Sequence, residues 1–133
     1  MPSVVVAREK IRVGTPVVVE GPAPASSYGA VFEDDGLTAY FYGLDGNQPG
    51  NRIVDALHIY NVDSVADKEV PSEIEIAWSS DSRKAVLLIN RYPHAVFDVE
   101  ARRGYCRTGF PPADRTWTEY SHEWSDAAVD LLK

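Results

Sequence analysis

Short runs of alternating apolar and polar residues, each bounded by turn-forming residues, constrain the fold of this chain more than any other sequence feature. In SEIEIAW, at residues 72–78, Ile74, Ile76 and Trp78 share one face of an extended chain, and the residues between them share the other. Successive side chains of a strand point to opposite faces, so this run predicts a strand that is buried on one side. A chain composed of such runs folds mainly as β-sheet.

The pattern recurs on both sides of this run. KAVLLIN and HAVFDVE follow it after short polar turns, and YGAVFED and LTAYFYGL precede it. RIVDALHIYNV fits both helical and strand spacing, but its β-branched and aromatic residues favour a strand. We therefore predict one antiparallel sheet whose strands include residues 28–33, 37–43, 73–79, 84–90 and 94–101.

The C-terminal residues are typical of a helix near 125–132, which Ser125 can cap and in which Asp126 lies in the first turn. A shorter helix is predicted over residues 63–70, capped by Asp63 and ended by Pro71. Together these elements predict a single domain over residues 1–133, with residues 1–12 as a flexible N-terminal segment. The predicted fold is α+β and mainly β: a single curved antiparallel sheet of about six to seven strands with a C-terminal helix packed on it.

The formal net charge of −7 argues against nucleic acid as a partner, because binding a phosphate backbone needs lysines and arginines clustered on one face. Charge is uneven, since residues 101–115 carry +3 and the rest of the chain carries −10. An acidic body with one basic patch can attract and orient another protein. A plainer interpretation is that the negative charge keeps the protein soluble.

The start of the chain, MPSVVVAREKIRV, lacks the basic and long apolar segments of a signal peptide. No apolar run approaches the ~20 residues of a membrane span. The single cysteine, Cys106, cannot form an internal disulfide, which is typical of a reducing compartment. We expect a cytoplasmic protein with no membrane partner.

The basic patch is the first candidate binding surface. If Arg103 and Arg107 flank Tyr105 on one strand face, two guanidinium groups and a phenol ring suit an acidic or aromatic partner group. Alternatively, the arginines pair internally with carboxylates, and the aromatic residues of the last third hold the C-terminal loop and helix on the sheet. The predicted binding residues are Arg102, Arg103, Tyr105, Arg107 and Trp117.

An alternative site is a row of His94, Asp98 and Glu100, which share a face if HAVFDVE is a strand. Neighbours in such a row lie about 7 Å apart, a separation that suits acid and base chemistry or two metal ligands. The same composition is also typical of a solvated face. A third metal ligand cannot be assigned, so we predict no catalytic residue, no metal site and no cofactor.

Cys106 lies in YCRTGFPP, whose Cys and Gly spacing is similar to the phosphate-binding loop of tyrosine phosphatases. That loop needs a His before the Cys and an Arg six residues after it, and here those positions are Tyr105 and Pro112. We reject that activity. Nearby Arg103 and Arg107 would favour a reactive thiolate, whereas a free cysteine is more often a buried apolar residue.

The string WSSDSRKAVLLINRYPHAVFDVEARRGYCRTGFPP, with IVDALHIYNV and VFEDDGLTAYFY before it and SHEW after it, resembles a family of short uncharacterised bacterial proteins, a domain of unknown function. The resemblance covers residues 31–124 and implies a bacterial, stand-alone cytosolic protein. It transfers no catalytic residue. We expect a non-enzymatic protein-binding module with a toxin-neutralising (immunity-like) or regulatory role. The alternative is a small hydrolase or a metal- or ligand-binding enzyme that uses the His/Asp/Glu row.

Overall fold

The computed structural model describes residues 3–113, 116–118 and 120–130, and within these ranges the chain forms nine strands and one short α-helix. The strands are β1 (Ser3–Ile11), β2 (Val17–Pro22), β3 (Tyr28–Asp34), β4 (Thr38–Asp45), β5 (Ile53–Asn61), β6 (Ser72–Ser79), β7 (Lys84–Ile89), β8 (Tyr92–Asp98) and β9 (Arg103–Cys106). The helix is α1 (Ala127–Asp130). No helix of the described ranges is long and apolar enough to cross a membrane.

The strands form two antiparallel sheets, so the predicted single sheet with a helix packed on it is wrong. One sheet has the strand order β1-β6-β7-β8-β9, and the other has the order β2-β3-β4-β5. Each sheet buries one face against the other sheet. Alternation in sequence shows that a strand has a buried face, but it does not show what covers that face. A helix of four residues is too short to cover it, and a second sheet does so.

The core lies between the two sheets and is closely packed. Phe41 of β4 stacks on Phe97 of β8, with ring centroids 5.3 Å apart. The predicted core residues are confirmed, except that Ile89 is only partly buried. Those confirmed as buried are Ile74, Ile76, Trp78, Leu87, Phe97 and Val99.

Most predicted strands are confirmed, and β5 is a strand rather than a helix. The strand predicted over 94–101 ends at Asp98, because the chain turns through Arg102, whose φ is +54°, and enters β9. The helix predicted over 63–70 is wrong. A 3-10 helix at Val62–Ser64 is present instead, and no side chain caps it. The C-terminal helix begins later than predicted, at Ala127, and the predicted positions 131 and 132 lie outside the described residues.

Candidate binding surfaces

β9 places Arg103 and Tyr105 on the outward face of the five-stranded sheet, and Arg107, which follows the end of β9, stacks on Trp124 on the same face, as the predicted binding surface requires. The guanidinium carbon of Arg103 lies 4.9 Å from the ring centroid of Tyr105 and 4.5 Å from that of Tyr120. Tyr105 itself is buried. The patch is therefore built of cations stacked on the protein's own aromatic rings.

Arg107 is held even more tightly. Its guanidinium carbon lies 3.8 Å from the ring centroid of Trp124 and 4.6 Å from that of Tyr92. Its Nε donates to the carbonyl oxygen of Pro93 at 3.0 Å, and Nη1 lies 3.9 Å from Oδ1 of Asp126. These contacts fix the C-terminal segment on the outward face of the five-stranded sheet.

The other two residues of the predicted surface lie elsewhere. Arg102 is exposed in the turn before β9. Trp117 is half-buried and packs edge-on against Phe97, with ring centroids 6.5 Å apart. Because Phe97 faces the core, Trp117 does not share a face with Tyr105. A recognition role for Arg103 and Arg107 stays a prediction.

The structure does not bring His94, Asp98 and Glu100 together. His94 is the extra residue of a bulge, since Pro93 and Ala95 pair with consecutive residues of β7. Asp98 ends β8, where its Oδ1 accepts a hydrogen bond from the backbone N of Ala101 at 3.0 Å. Glu100 follows in a turn and pairs with Arg83 at 3.1 Å. The bulge and the strand end both interrupt the alternation on which the predicted row depended.

Metal-binding and thiol chemistry find no support at these positions. Within the described ranges, no group of three or more His, Cys, Asp or Glu side chains could hold a metal ion. Cys106 is fully buried, and burial raises the pKa of its thiol. Its Sγ lies 3.5 Å from the carbonyl oxygen of Phe110. Cys106 faces the core, while its neighbouring arginines face outward.

A buried ion pair that sequence reasoning missed joins β5 to the C-terminal segment. Nε2 of His122 lies 2.9 Å from both carboxylate oxygens of Asp55, and Nδ1 lies 2.6 Å from the carbonyl oxygen of Pro111. Both ring nitrogens of His122 therefore lie within hydrogen-bonding distance of an oxygen atom, and with an ionised carboxylate both of them would have to donate. The backbone N of Cys106 donates to the carbonyl oxygen of His122 at 3.0 Å, which extends the connection to β9.

The outward faces of the two sheets differ in what covers them. On the five-stranded sheet, Val86 and Val96 are buried in a cluster with Ala128, and Trp124 packs against it. On the four-stranded sheet, Val18 of the edge strand β2 is 51% exposed and Ile53 is 41% exposed. We call this second surface the open face. Its residues Val18, Val31, Glu33, Tyr42, Leu44 and Ile53 surround a shallow depression of about 240 Å³.

Aromatic side chains extend the open face across β4 and β5. Tyr40 stacks on Tyr42, with ring centroids 5.9 Å apart, and meets His58 edge-on at 5.5 Å. His58 in turn meets Phe110 edge-on at 5.8 Å, and about half of Phe110 is exposed. The depression is thus the end of a longer aromatic and apolar strip.

Carboxylates border the open face. Glu20 and Glu33 point outward from β2 and β3, and Asp35 lies in the turn between β3 and β4. The pKa of Tyr42 is raised, first by burial and then by nearby negative charge, including that of Glu33 and Asp35. The apolar strip therefore lies in a negative potential.

These features define a two-sheet antiparallel β protein with one covered and one open outward face. The chain belongs to the family described as uncharacterized protein conserved in bacteria (DUF2251), which matches residues 11–133. It is similar to an uncharacterized protein of Haemophilus influenzae (strain ATCC 51907 / DSM 11121 / KW20 / Rd), with 43% identity over 113 residues, which are 83% of this chain and 70% of that relative. No solved structure matches the chain. The family predicted from the sequence is confirmed.

Proposed function

We propose that this protein is a non-enzymatic protein-binding module of the bacterial cytoplasm and that it binds its partner through the open face. The observation that carries the proposal is the exposure of Val18 and Ile53 beside the half-buried Tyr42 on a sheet face with carboxylates at its border. Apolar patches rimmed by polar residues are typical of protein interaction sites.

The size and charge of the open face indicate what kind of partner it can bind. A depression of about 240 Å³ is smaller than most small-molecule sites, which hold roughly 300–1,000 Å³, and suits one or two protein side chains. Glu20, Glu33 and Asp35 favour lysine or arginine beside those side chains. The partner is therefore a basic protein segment with an apolar or aromatic anchor, and the net charge of −7 would speed its association.

Two roles fit a small acidic module that binds a basic protein. In a toxin-neutralising role, the module covers the active surface of a basic toxin, and in a regulatory role it controls the availability of a basic partner. A hydrolase function lacks comparable support, because His94 and Glu100 lie in different surroundings.

The test is quantitative capture from a bacterial lysate, using a pair of matched valine variants. Val18→Lys places a cation in the open face, and Val5→Lys does the same on β1, the edge strand of the other sheet, where Val5 is 44% exposed. We expect the wild type and Val5→Lys to retain one basic protein in a stoichiometric amount, and Val18→Lys to lose it.

Folding and specificity are checked on the same samples. The melting temperatures of both variants should match that of the wild type, since both valines lie on the surface. The proposal would be contradicted if the wild type captured only substoichiometric or non-basic proteins. Equal capture by Val18→Lys and by the wild type would also contradict it.

A further inference from the structure

A second cavity lies at one end of the sandwich, where the connection from β5 to β6 crosses between the sheets. Its volume is about 460 Å³, which is within the range of small-molecule sites. Ile59, Val65, Val70 and Ile89 belong to its apolar lining, and His94 and Asn90 line it as well. It does not belong to the open face and is independent of the proposed function.

His94, in the lining of this cavity, carries a hydrogen-bond acceptor. Its Nδ1 lies 2.9 Å from the carbonyl oxygen of Tyr92, which can only accept, so Nδ1 carries the proton. Burial, and to a lesser extent the charge of Arg107, lower the pKa of His94, which keeps the ring neutral at pH 7. Nε2 therefore has a free lone pair, and no described residue donates a hydrogen bond to it.

Asn90, in the lining of the same cavity, carries a donor. Its Oδ1 accepts a hydrogen bond from the backbone N of Glu73 at 2.9 Å, and its own backbone N donates to the carbonyl oxygen of Glu73 at 2.9 Å. These bonds fix the orientation of the side-chain amide and leave Nδ2 as its donor end. The cavity thus combines apolar walls with an acceptor and a donor.

The charge at the cavity excludes one class of ligand. Asp67 also lines it, and its carboxylate disfavours a bound carboxylate or phosphate. We propose that this cavity binds a small uncharged molecule with an apolar body and one hydroxyl group, such as a phenol, whose O–H donates to Nε2 of His94.

The test is an NMR titration of the full chain with three probes of similar shape: 4-methylphenol, toluene and 4-methylbenzoate. We expect saturable shifts at Ile59 and Ile89 with 4-methylphenol. Toluene should bind roughly threefold to tenfold more weakly, since it lacks the hydrogen bond to His94. The charged 4-methylbenzoate should bind most weakly. Val18→Lys on the open face should leave these affinities unchanged.

His94→Phe removes the acceptor and keeps an aromatic ring, so it should abolish the preference for 4-methylphenol over toluene. Its capture of the basic partner should match that of the wild type, which separates this proposal from the proposed function. The proposal would be overturned if the wild type bound 4-methylphenol and toluene with equal affinity or showed no saturable shifts at all. Shifts confined to Val31 and Leu44 would also overturn it, because those residues belong to the open face.

A pH series on the wild type gives a second test that does not depend on a variant. Protonation of Nε2 removes the acceptor, and burial lowers the pKa of His94, so the affinity for 4-methylphenol should be constant near pH 7 and fall only at a pH below 6.5, the ordinary pKa of histidine. The raised pKa of Tyr60 keeps its phenol protonated in this range, and Arg107 stays charged. Asp67→Asn removes the carboxylate that lines the cavity, so a change of affinity with pH in this variant cannot come from Asp67. A flat profile in both proteins down to about pH 4.5 would overturn the proposal.

Discussion

The indole Nε1 of Trp78 in β6 donates a hydrogen bond to the carbonyl oxygen of Gly21 in β2, at 2.9 Å, and this bond joins the two sheets through the buried core. The sheets approach closely at this point. A Cβ added to Gly21 would lie 2.5 Å from Cγ2 of Ile76, which is closer than van der Waals contact allows. The absence of a side chain at Gly21 therefore makes the bond to Trp78 possible.

Gly21→Ala should lower the free energy of unfolding by about 1–3 kcal/mol, because the added methyl group must push β2 away from β6. Gly29→Ala on the paired strand β3 is the control, since a Cβ there would lie 3.8 Å from its nearest neighbour, Cα of Pro22. The control should change the free energy by less than about 0.5 kcal/mol. Both values come from urea denaturation, and equal values would show that the sheets can separate without cost at Gly21.

The strands could be predicted from sequence because each depends on local alternation. Tyr40, Phe41 and Tyr42 illustrate this: consecutive residues of a strand face opposite ways, so aromatic rings had to point to both sides. In the structure Phe41 is buried, and the two tyrosines lie on the open face. The family could also be predicted from sequence, because short stretches of consecutive residues carry the resemblance.

The arrangement of the strands could not be predicted, because it depends on contacts between residues far apart in sequence. Residues 3–11 show no clear alternation, yet β1 pairs with β6 from Ser3 opposite Ser79 to Ile11 opposite Ser72. The pair of His122 and Asp55 is likewise separated by 67 residues. Local pattern holds no information about such partners, so the second sheet and this ion pair were both missed.

If Asp55 and His122 form a charged pair, Asp55→Asn should lower the free energy of unfolding by about 3–5 kcal/mol, because it leaves a buried cation without its carboxylate. Glu100→Gln is the matched control. It breaks the pair with Arg83, in which both side chains are more than half exposed, and should cost less than about 1 kcal/mol. Chemical denaturation measures both values. A cost for Asp55→Asn as small as that of the control would show that His122 is not charged in the folded protein.

Phe97→Ala should lower the free energy of unfolding by about 3–5 kcal/mol, because Phe97 fills the space between Phe41 and Trp117 and the cavity left behind cannot close. Phe110→Ala is the control, since about half of Phe110 is exposed. It should cost clearly less in the same denaturation experiment. If Phe97→Ala costs less than about 1 kcal/mol, β8 does not present this face to the core.

Arg107→Lys should loosen the C-terminal segment, because an ammonium group cannot stack between Tyr92 and Trp124 as a planar guanidinium does. Arg102→Lys, in the exposed turn, is the control. Limited proteolysis should cleave near Trp124 several-fold faster in the first variant than in the second. Equal cleavage rates would mean that the apolar contacts of Ala128 suffice to hold the segment. In that case Arg107 would be available for recognition, as the sequence first suggested.

Cys106 should react slowly with iodoacetamide in the folded protein, because the thiolate is the reactive form and burial raises the pKa of this thiol. The same shift makes the free energy of unfolding depend on pH. Because the folded protein favours the protonated thiol, the stabilisation that Cys106 contributes is complete below the pKa of an unfolded cysteine, about 8.5, and is lost at higher pH.

Alkylation followed by mass spectrometry between pH 7 and 9 measures this reactivity directly. We expect the folded protein to be labelled at least about tenfold more slowly than the protein in urea, and its labelling rate should still be rising at pH 9, whereas the rate in urea levels off above the pKa of an unfolded cysteine, about 8.5. Charge reversal at Arg103 should leave the folded rate unchanged, since its side chain lies on the opposite face of β9. Rapid labelling of the folded protein at pH 7, slowed by that variant, would instead identify an arginine-activated thiolate and reverse the assignment of Cys106 to the core.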